Sequence, residues 1–266
     1  LADFAAGAIV IVVDNEDREN EGDFIMLAEK ATPEKVAFIN RYSTGILCAP
    51  MNRERARALG LPLMWAKNQD TNKTAFTVTT DAKKNLTTGV SATERATTFN
   101  ELARTTAVAD DFVRPGHVFP LIAADGLLNE RQGHTEAAVA MAALVGAQPV
   151  GLLCEIVNED GSMSRMPDLE KFAAEHSMPI ISIEALAEYA RSENLAAHVP
   201  ALPKLTWANL PLDNGAWKIS SFTNSAGIDH AIVAFGDVTG ASDVLMRVHS
   251  ECLTGDVFSS KRCDCQ

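Results

Sequence analysis

The sequence predicts an α+β chain: a layered α/β domain with a mixed sheet over residues 1–192, then a second, truncated, β-rich α/β unit over residues 204–266. Three observations carry this prediction. Strand-length apolar runs alternate with capped, amphipathic helical stretches through the first domain. A polar stretch punctuated by Pro200, Pro203 and Pro211 then breaks the alternation, which places a linker at residues 193–203. The residues beyond it hold three strand-like segments, WKISSF, HAIVAF and VLMRVH, too little chain to bury a core without a metal or a partner.

Taken in order, AIVIVV (residues 8–13) reads as a buried strand, the acidic DNEDRENEGD (14–23) as a loop and FIMLA (24–28) as a second strand. Thr32 before Pro33 is an N-cap with proline in the first helical position, and Val36 and Ile39 mark one face of the helix it opens. ILCAP (46–50) is strand-like. Residues 52–59 form a short helix stopped by Gly60, and FTVTT (76–80) alternates as a half-buried strand does. Ser91 and Glu94 make a capping box for a helix through Leu102. Residues 104–120, with RPGHVFP, show no period. A helix capped by Thr135 and stopped by Gly146 follows, then the strand VGLLCEIV (150–157), a helix at 169–176, the strand PIISI (179–183) and a helix at 184–191.

Composition excludes several classes. A chain of 266 residues that is 47% hydrophobic is globular rather than disordered, and five cysteines in that length do not make a disulfide framework. The formal net charge of −12 lacks the basic footprint that nucleic acid requires. No apolar run is long enough to span a membrane. Reduced thiols and the lack of a basic, apolar export signal predict a cytoplasmic protein.

Much of the negative charge has one address. Residues 14–23 carry Asp14, Glu16, Asp17, Glu19, Glu21 and Asp23 against the single Arg18. A charge run is ordinarily a solvated loop. Between two apolar strands, however, carboxylates crowd together and repel unless a cation sits among them, and hard oxygen ligands select Mg2+ or Mn2+. RQGHTEAAV (131–139) offers a second half of such a site: an arginine, a glycine that allows close approach, a helix N-terminus suited to phosphate, and His134 as a ligand candidate. Glu155 interrupts an apolar strand, where an unpaired carboxylate is costly, and so is a candidate general acid or base. Thr87, Thr88 and Ser91 at a capped helix start are further phosphate candidates.

At this level of detail the first domain resembles a known family. DRENEGDF (17–24), TTGVSATERATT (87–98), RPGHVFPL (114–121), GHTEAAV (133–139) and CEIVNEDGSMSRMPDL (154–169) are similar, in family order, to motifs of 3,4-dihydroxy-2-butanone 4-phosphate synthase. The resemblance implies conversion of D-ribulose 5-phosphate to 3,4-dihydroxy-2-butanone 4-phosphate and formate, dependent on Mg2+ or Mn2+, by a homodimer. It also implies that Glu19 and His134 hold the divalent metal. Arg18, Glu19 and Asp23 would contact the sugar, Arg131, Gln132, Gly133, His134 and Thr135 the phosphate end, and His117 and Glu155 would be essential for catalysis.

In the second unit, Cys252, Cys263 and Cys265 form a C-x10-C-x-C pattern in polar surroundings, which suits a zinc ion that keeps one position open. RVHSECLTGDVFSSKRCDC resembles the zinc motif of GTP cyclohydrolase II, with Arg247, Val248, His249, Ser250 and Glu251 matching a stretch that contacts GTP. The order of the two units is that of bifunctional riboflavin-pathway proteins. The later parts of the cyclohydrolase are not in this sequence, so this chain is expected to bind zinc without opening GTP, an activity implied for the full-length protein. Two rival readings remain: another metal-dependent sugar-phosphate enzyme, an aldolase or epimerase, and a zinc-stabilised binding or scaffold protein.

Overall fold

The computed structural model describes residues 1–84, 86–193, 205–212, 215–223, 229–236, 238, 244–249 and 252. The chain divides into two units at residues 202 and 203. Among the described residues no helix is long and apolar enough to cross a membrane.

The first unit is built on a seven-stranded mixed sheet. Its strands are β1 (Val10–Val13), β2 (Gly22–Leu27), β3 (Cys48–Met51), β4 (Thr80–Ala82), β5 (Phe112–Ile122), β6 (Gly151–Glu155) and β7 (Ile180–Ser182), in spatial order β4-β5-β3-β6-β2-β1-β7. β1 runs parallel to β7 and β3 parallel to β5, and the remaining pairs are antiparallel.

Among the described residues the α-helices beside the sheet are α1 (Ala2–Ala5), α2 (Pro33–Arg41), α3 (Arg53–Ala58), α4 (Ala92–Ala103), α5 (His134–Leu144), α6 (Met166–His176) and α7 (Ile183–Ser192). Alternate strand residues separate into two cores. Ile11, Val13, Phe24, Met26 and Leu152 pack with Val36 and Ile39 of α2, Phe99 and Leu102 of α4, and Leu169 of α6. Val10, Val12, Ile25, Leu27 and Leu153 pack instead with residues 137–142 of α5, Ile183 and Leu186 of α7, and Phe4 of α1. Burial on both faces is why β1 and β2 read as continuous apolar runs rather than alternating ones. Each fully buried Leu, Ile or Phe contributes about 1.5–3 kcal/mol, so the two cores anchor the strand ends that carry the site.

The predicted caps are present where residues 32 and 91 precede their helices. The Lys35 N–H donates to Thr32 Oγ1 at 3.4 Å, and Ser91 and Glu94 cap each other. Glu94 does more than close the box. Its carboxylate also accepts from the Thr87 N–H at 2.5 Å, the Thr87 hydroxyl at 2.8 Å and the Ser91 hydroxyl at 2.8 Å. These bonds, the Thr87 N–H foremost, pull its pKa from 4.5 to about 2. Because the folded value lies below the unfolded one, the stabilisation is complete above pH 4.5 and is lost as the pH falls towards 2. Glu94→Gln should lower the thermal midpoint at neutral pH and flatten the acid limb between those two values, as followed by circular dichroism. An unchanged acid limb would contradict the assignment.

Several elements differ from expectation, each for a physical reason. Residues 112–122, aperiodic in sequence, form the long strand β5. Its pairing with β4 jumps from Val118 opposite Thr80 to Val113 opposite Asp81, so residues 114–117 bulge and Pro115 occupies a place that needs no ladder N–H. Ordered strand begins at Thr80 rather than at Phe76, which makes only an isolated bridge to Leu121. The cap of α5 is Gly133, with Thr135 inside the first turn. Glu155 ends β6 instead of interrupting it, half-buried, and the Thr44 hydroxyl donates to its Oε2 at 2.7 Å.

The second unit holds an antiparallel meander of β8 (Ala208–Leu212), β9 (Gly215–Thr223) and β10 (Asp229–Phe235), in order β10-β9-β8. β8 lies where the sequence reads as a proline-punctuated stretch. Residues 244–249, strand-like in sequence, are described without regular structure and with Leu245 and Val248 exposed. Trp217 packs on Phe235 with ring centroids 5.1 Å apart, yet Ser220 is the only buried residue among those described in this unit. Among the described residues this sheet has no core of its own, as the short length of the unit leads one to expect.

Candidate active site

The loop between β1 and β2 is a folded hairpin end, not a solvated run. Asp14, whose side chain is almost wholly buried, organises it: Oδ1 accepts from the Glu21 N–H at 2.8 Å, and Oδ2 from the Glu19 N–H at 3.1 Å and from Arg18 Nη1 at 2.8 Å. Arg165, at the start of α6, donates through Nη1 to the Glu19 carbonyl at 2.8 Å and also to that of Asn20, whose φ of 55° is left-handed. The loop acids thereby sort themselves. Glu16 and Asp17 are exposed, whereas Glu19, Glu21 and Asp23 line one cavity.

α5 brings its N-terminus to the same place. His134 is buried; its Nε2 lies 3.1 Å from the Val12 carbonyl, to which the N–H donates. Nδ1 is left facing acids, 3.7 Å from Glu19 Oε2 and 3.8 Å from Asp23 Oδ1. Ligand atoms of Asp14, Glu19 and His134 all lie within 4.8 Å of one another. Asp14 spends both its oxygens on the loop, and Asp23 Oδ1 is buried without a hydrogen-bond partner.

The charges in this cluster are strongly coupled. The interaction with His134, 3.7 Å away, pulls Glu19 down to about 2, against the effect of burial. Burial pushes Asp23 up to about 7. Burial opposes charge on His134, but Asp23, Glu19 and Asp14 override it and raise that group to about 9. In the absence of a metal, a proton therefore supplies the positive charge that the acids demand.

Beside this cluster stands an anion-receiving face. Arg131 is spread across its neighbours, with Nη1 2.5 Å from Glu136 Oε2, Nη2 3.2 Å from Thr74 Oγ1 and Nε donating to the Asn72 carbonyl at 3.1 Å. Gly133 makes this possible, because a Cβ there would come within 2.2 Å of Arg131 Nη1. No side chain caps α5, so its first-turn N–H groups and the Thr135 hydroxyl are available to an anion.

The cavity holds about 140 Å³ and is lined by Arg18, Glu19, Glu21, Asp23, Arg131, His134, Thr135 and Glu155, with Cys48, Thr74 and three apolar side chains. Asp23 and Glu155 are directly opposed across the β2–β6 pair. Gln132 is exposed and is not in the lining, and His117 is also outside it. Thr87 and Ser91 give their hydroxyls to Glu94. In the second unit Arg247, Val248 and His249 are exposed and Cys252 is partly buried, while Ser250, Glu251, Cys263 and Cys265 lie outside the described residues.

Sequence reasoning missed Asp14 as the loop's organiser, Glu136 and Thr74 as supports of Arg131, and Asn72, whose Nδ2 donates to Glu19 Oε1 at 2.6 Å. Glu136 carried a signal, as a lone acid opening an otherwise apolar helix. The others depend on contacts between distant segments.

Fold and site define a class: a three-layer α/β/α domain in which an acidic hairpin, with side chains that could hold a metal ion, meets an arginine-flanked helix N-terminus. Within that class, the chain belongs to the 3,4-dihydroxy-2-butanone 4-phosphate synthase family, whose model it matches over residues 1–189. Residues 204–266 match the model of GTP cyclohydrolase II. The riboflavin biosynthesis protein RibBA of Mycobacterium tuberculosis is 49% identical over the whole of this chain, which spans 63% of that relative's length. A 3,4-dihydroxy-2-butanone 4-phosphate synthase structure from Candida albicans is similar at 48% identity and a TM-score of 0.67, covering 71% of this chain and 93% of that one. Another synthase structure, in complex with two magnesium ions, is similar at 40% identity and a TM-score of 0.70, covering 72% and 95%.

Proposed function

We propose that the chain converts D-ribulose 5-phosphate to 3,4-dihydroxy-2-butanone 4-phosphate and formate, in the cytoplasm, as a homodimer dependent on Mg2+ or Mn2+. The observation that carries this reading is His134: its Nε2–H is committed to the Val12 carbonyl, so Nδ1 is the nitrogen that faces Glu19 and the unpartnered Asp23 oxygen and that would exchange its proton for a cation. Histidine nitrogen with carboxylate oxygens is a donor set that fits a small divalent cation, and Glu19 and His134 would hold it. When bound, the cation would polarise the ketose carbonyl and stabilise the negative charge that develops on enolisation.

The chain's own groups do the rest. Arg131, Thr135 and the first-turn N–H groups of α5 receive the phosphate, and Arg18 adds a second positive charge in a cavity whose other charges are largely acidic. Asp23, poised near neutrality by burial, and Glu155 directly opposite it exchange protons with neighbouring carbons. The products sum to the substrate with no net water and no oxidant: the water lost as the terminal hydroxyl leaves is balanced by the water that adds as formate is released, and proton transfers and a carbon shift complete the conversion. His117 lies outside the cavity of its own chain, and the homodimer is part of the proposal because a second copy can bring that ring to the substrate.

Arg131→Lys keeps the charge but loses the three-way fork. The expected result is a KM for ribulose 5-phosphate raised by about tenfold with kcat less affected, measured by formate release. An unchanged KM would move the phosphate elsewhere. The aldolase and epimerase alternatives are separated by product: formate supports the synthase, whereas an aldehyde or an epimer overturns it. For the second unit we propose zinc held by Cys252, Cys263 and Cys265, with GTP as a ligand of the longer proteins of this kind. Metal analysis of the purified chain tests the zinc site.

A further inference from the structure

The bulge between β4 and β5 holds a pair of groups that the cavity does not use. Asp81 Oδ1 accepts the His117 backbone N–H at 2.9 Å, and Asp81 Oδ2 lies 2.7 Å from His117 Nδ1. The carboxylate is buried, with a side-chain exposure of 7%, while the ring is 47% exposed. The aspartate is therefore sheltered and its histidine is presented to whatever approaches.

Two further features hold the pair in place. One step along β4, from Thr80 to Asp81, spans the stretch from Val118 to Val113 on β5, so His117 sits on the bulge and not in the ladder. Gly89, at φ +80°, closes on the pair from the TTGVS segment, where a Cβ would lie 2.2 Å from Asp81 Oδ2 and 3.0 Å from His117 Nδ1. Asp81 and Gly89 thus converge with His117, 36 residues beyond Asp81, on one carboxylate–imidazole contact.

The chemistry of that contact is restrictive. An ionised carboxylate only accepts hydrogen bonds, so with one oxygen given to the backbone N–H, the other requires a proton on Nδ1. In the neutral ring the lone pair then sits on Nε2, the outward nitrogen. We infer that Asp81 is a positioning residue that sets the tautomer of His117 and makes Nε2 the atom that accepts and returns a proton in the reaction. This inference rests on the proposed synthase activity. When Nε2 takes a proton the ring becomes an imidazolium whose charge the Asp81 carboxylate balances, and the neutral form is restored when the proton is returned to the substrate.

Asp81→Asn tests this with little change of shape. An amide has a single acceptor oxygen, and the His117 backbone N–H claims it. The NH2 group then faces Nδ1, which must become the acceptor, and the ring proton moves to Nε2. In histidine-labelled chain with Mg2+, 15N spectra of neutral His117 should show Nδ1–H in the wild type and Nε2–H in Asp81→Asn. The kcat for formate release should fall by on the order of 10²- to 10⁴-fold, as when a catalytic histidine is held in the wrong tautomer, with KM changed by less than about threefold.

His117→Gln supplies the control. If Asp81 acts through the ring, Asp81→Asn costs nothing further in that background. A wild-type ring protonated on Nε2, a kcat in Asp81→Asn within about twofold of wild type, or an equal loss in the His117→Gln background would each overturn the inference. The wild-type spectrum decides the tautomer even if Asp81→Asn does not fold. Full turnover in His117→Gln would instead remove the histidine from the proposed reaction, whatever the spectra show.

Discussion

Glu19→Gln should lose cation-dependent turnover almost completely. Glu19 is the one loop acid that both faces His134 Nδ1 and keeps a side chain partly open to the cavity, at 26% exposure. Converting it to an amide removes the negative ligand but leaves the loop's architecture, because Asp14 and Arg165 hold residue 19 through its backbone. A loss of about 10³-fold in kcat is expected, equivalent to about 4 kcal/mol of lost transition-state stabilisation. Titration calorimetry should show weakened Mg2+ binding in parallel. Glu16→Gln, at the exposed tip of the same loop, should change neither quantity. Equal effects from both substitutions would show that the loop acts through its overall charge and not through a specific ligand.

Glu155→Gln should separate proton transfer from binding. The Thr44 hydroxyl can still donate to the amide oxygen, and the carboxylate lies at a strand end rather than in a core, so the fold should persist. Mg2+ and substrate should bind nearly as in the wild type. Formate release should fall by on the order of 10²- to 10⁴-fold, the range for removing a positioned acid or base. Near-normal formate release would rule out the role assigned to Glu155 and leave Asp23 as the proton carrier of the cavity.

How much of this was legible in the sequence follows the range of the interactions. The Thr32 and Ser91 caps, the apolar runs of β1 and β2, and the stop at Gly60, which adopts φ +63°, are local, and each stands where residue spacing put it. β5 was illegible because Pro115, Gly116 and Pro120 disguise a strand in which the first two lie in the bulge against β4 and Pro120 pairs opposite Ala49 of β3. β8 was hidden in the same way by Pro211, which lies one residue from its end. Thr135 reads as a cap because a hydroxyl usually serves there, but Gly133 starts the helix two residues earlier and leaves the hydroxyl in the cavity lining.

The candidate site divides along the same line. The acidic hairpin and the Arg131–Thr135 segment stand out as patterns, since unlike charges and a helix start lie within a few residues of one another. The burial of Asp23, opposite Glu155, depends on how β2 pairs with β6. Asp81 meets His117 across 36 residues, a contact fixed by the register of two strands that no short pattern announces. The family motifs bridged part of that gap, marking His117 without giving the partner that orients it.

The measurement that bears most directly on the account is incubation of the chain with ribulose 5-phosphate, with Mg2+ or with excess chelator, following formate and the four-carbon product together. One formate per four-carbon phosphate is expected in the presence of the cation, and neither product once the cation is removed. Formate released equally in both arms, or consumption of the sugar phosphate without formate, would contradict it.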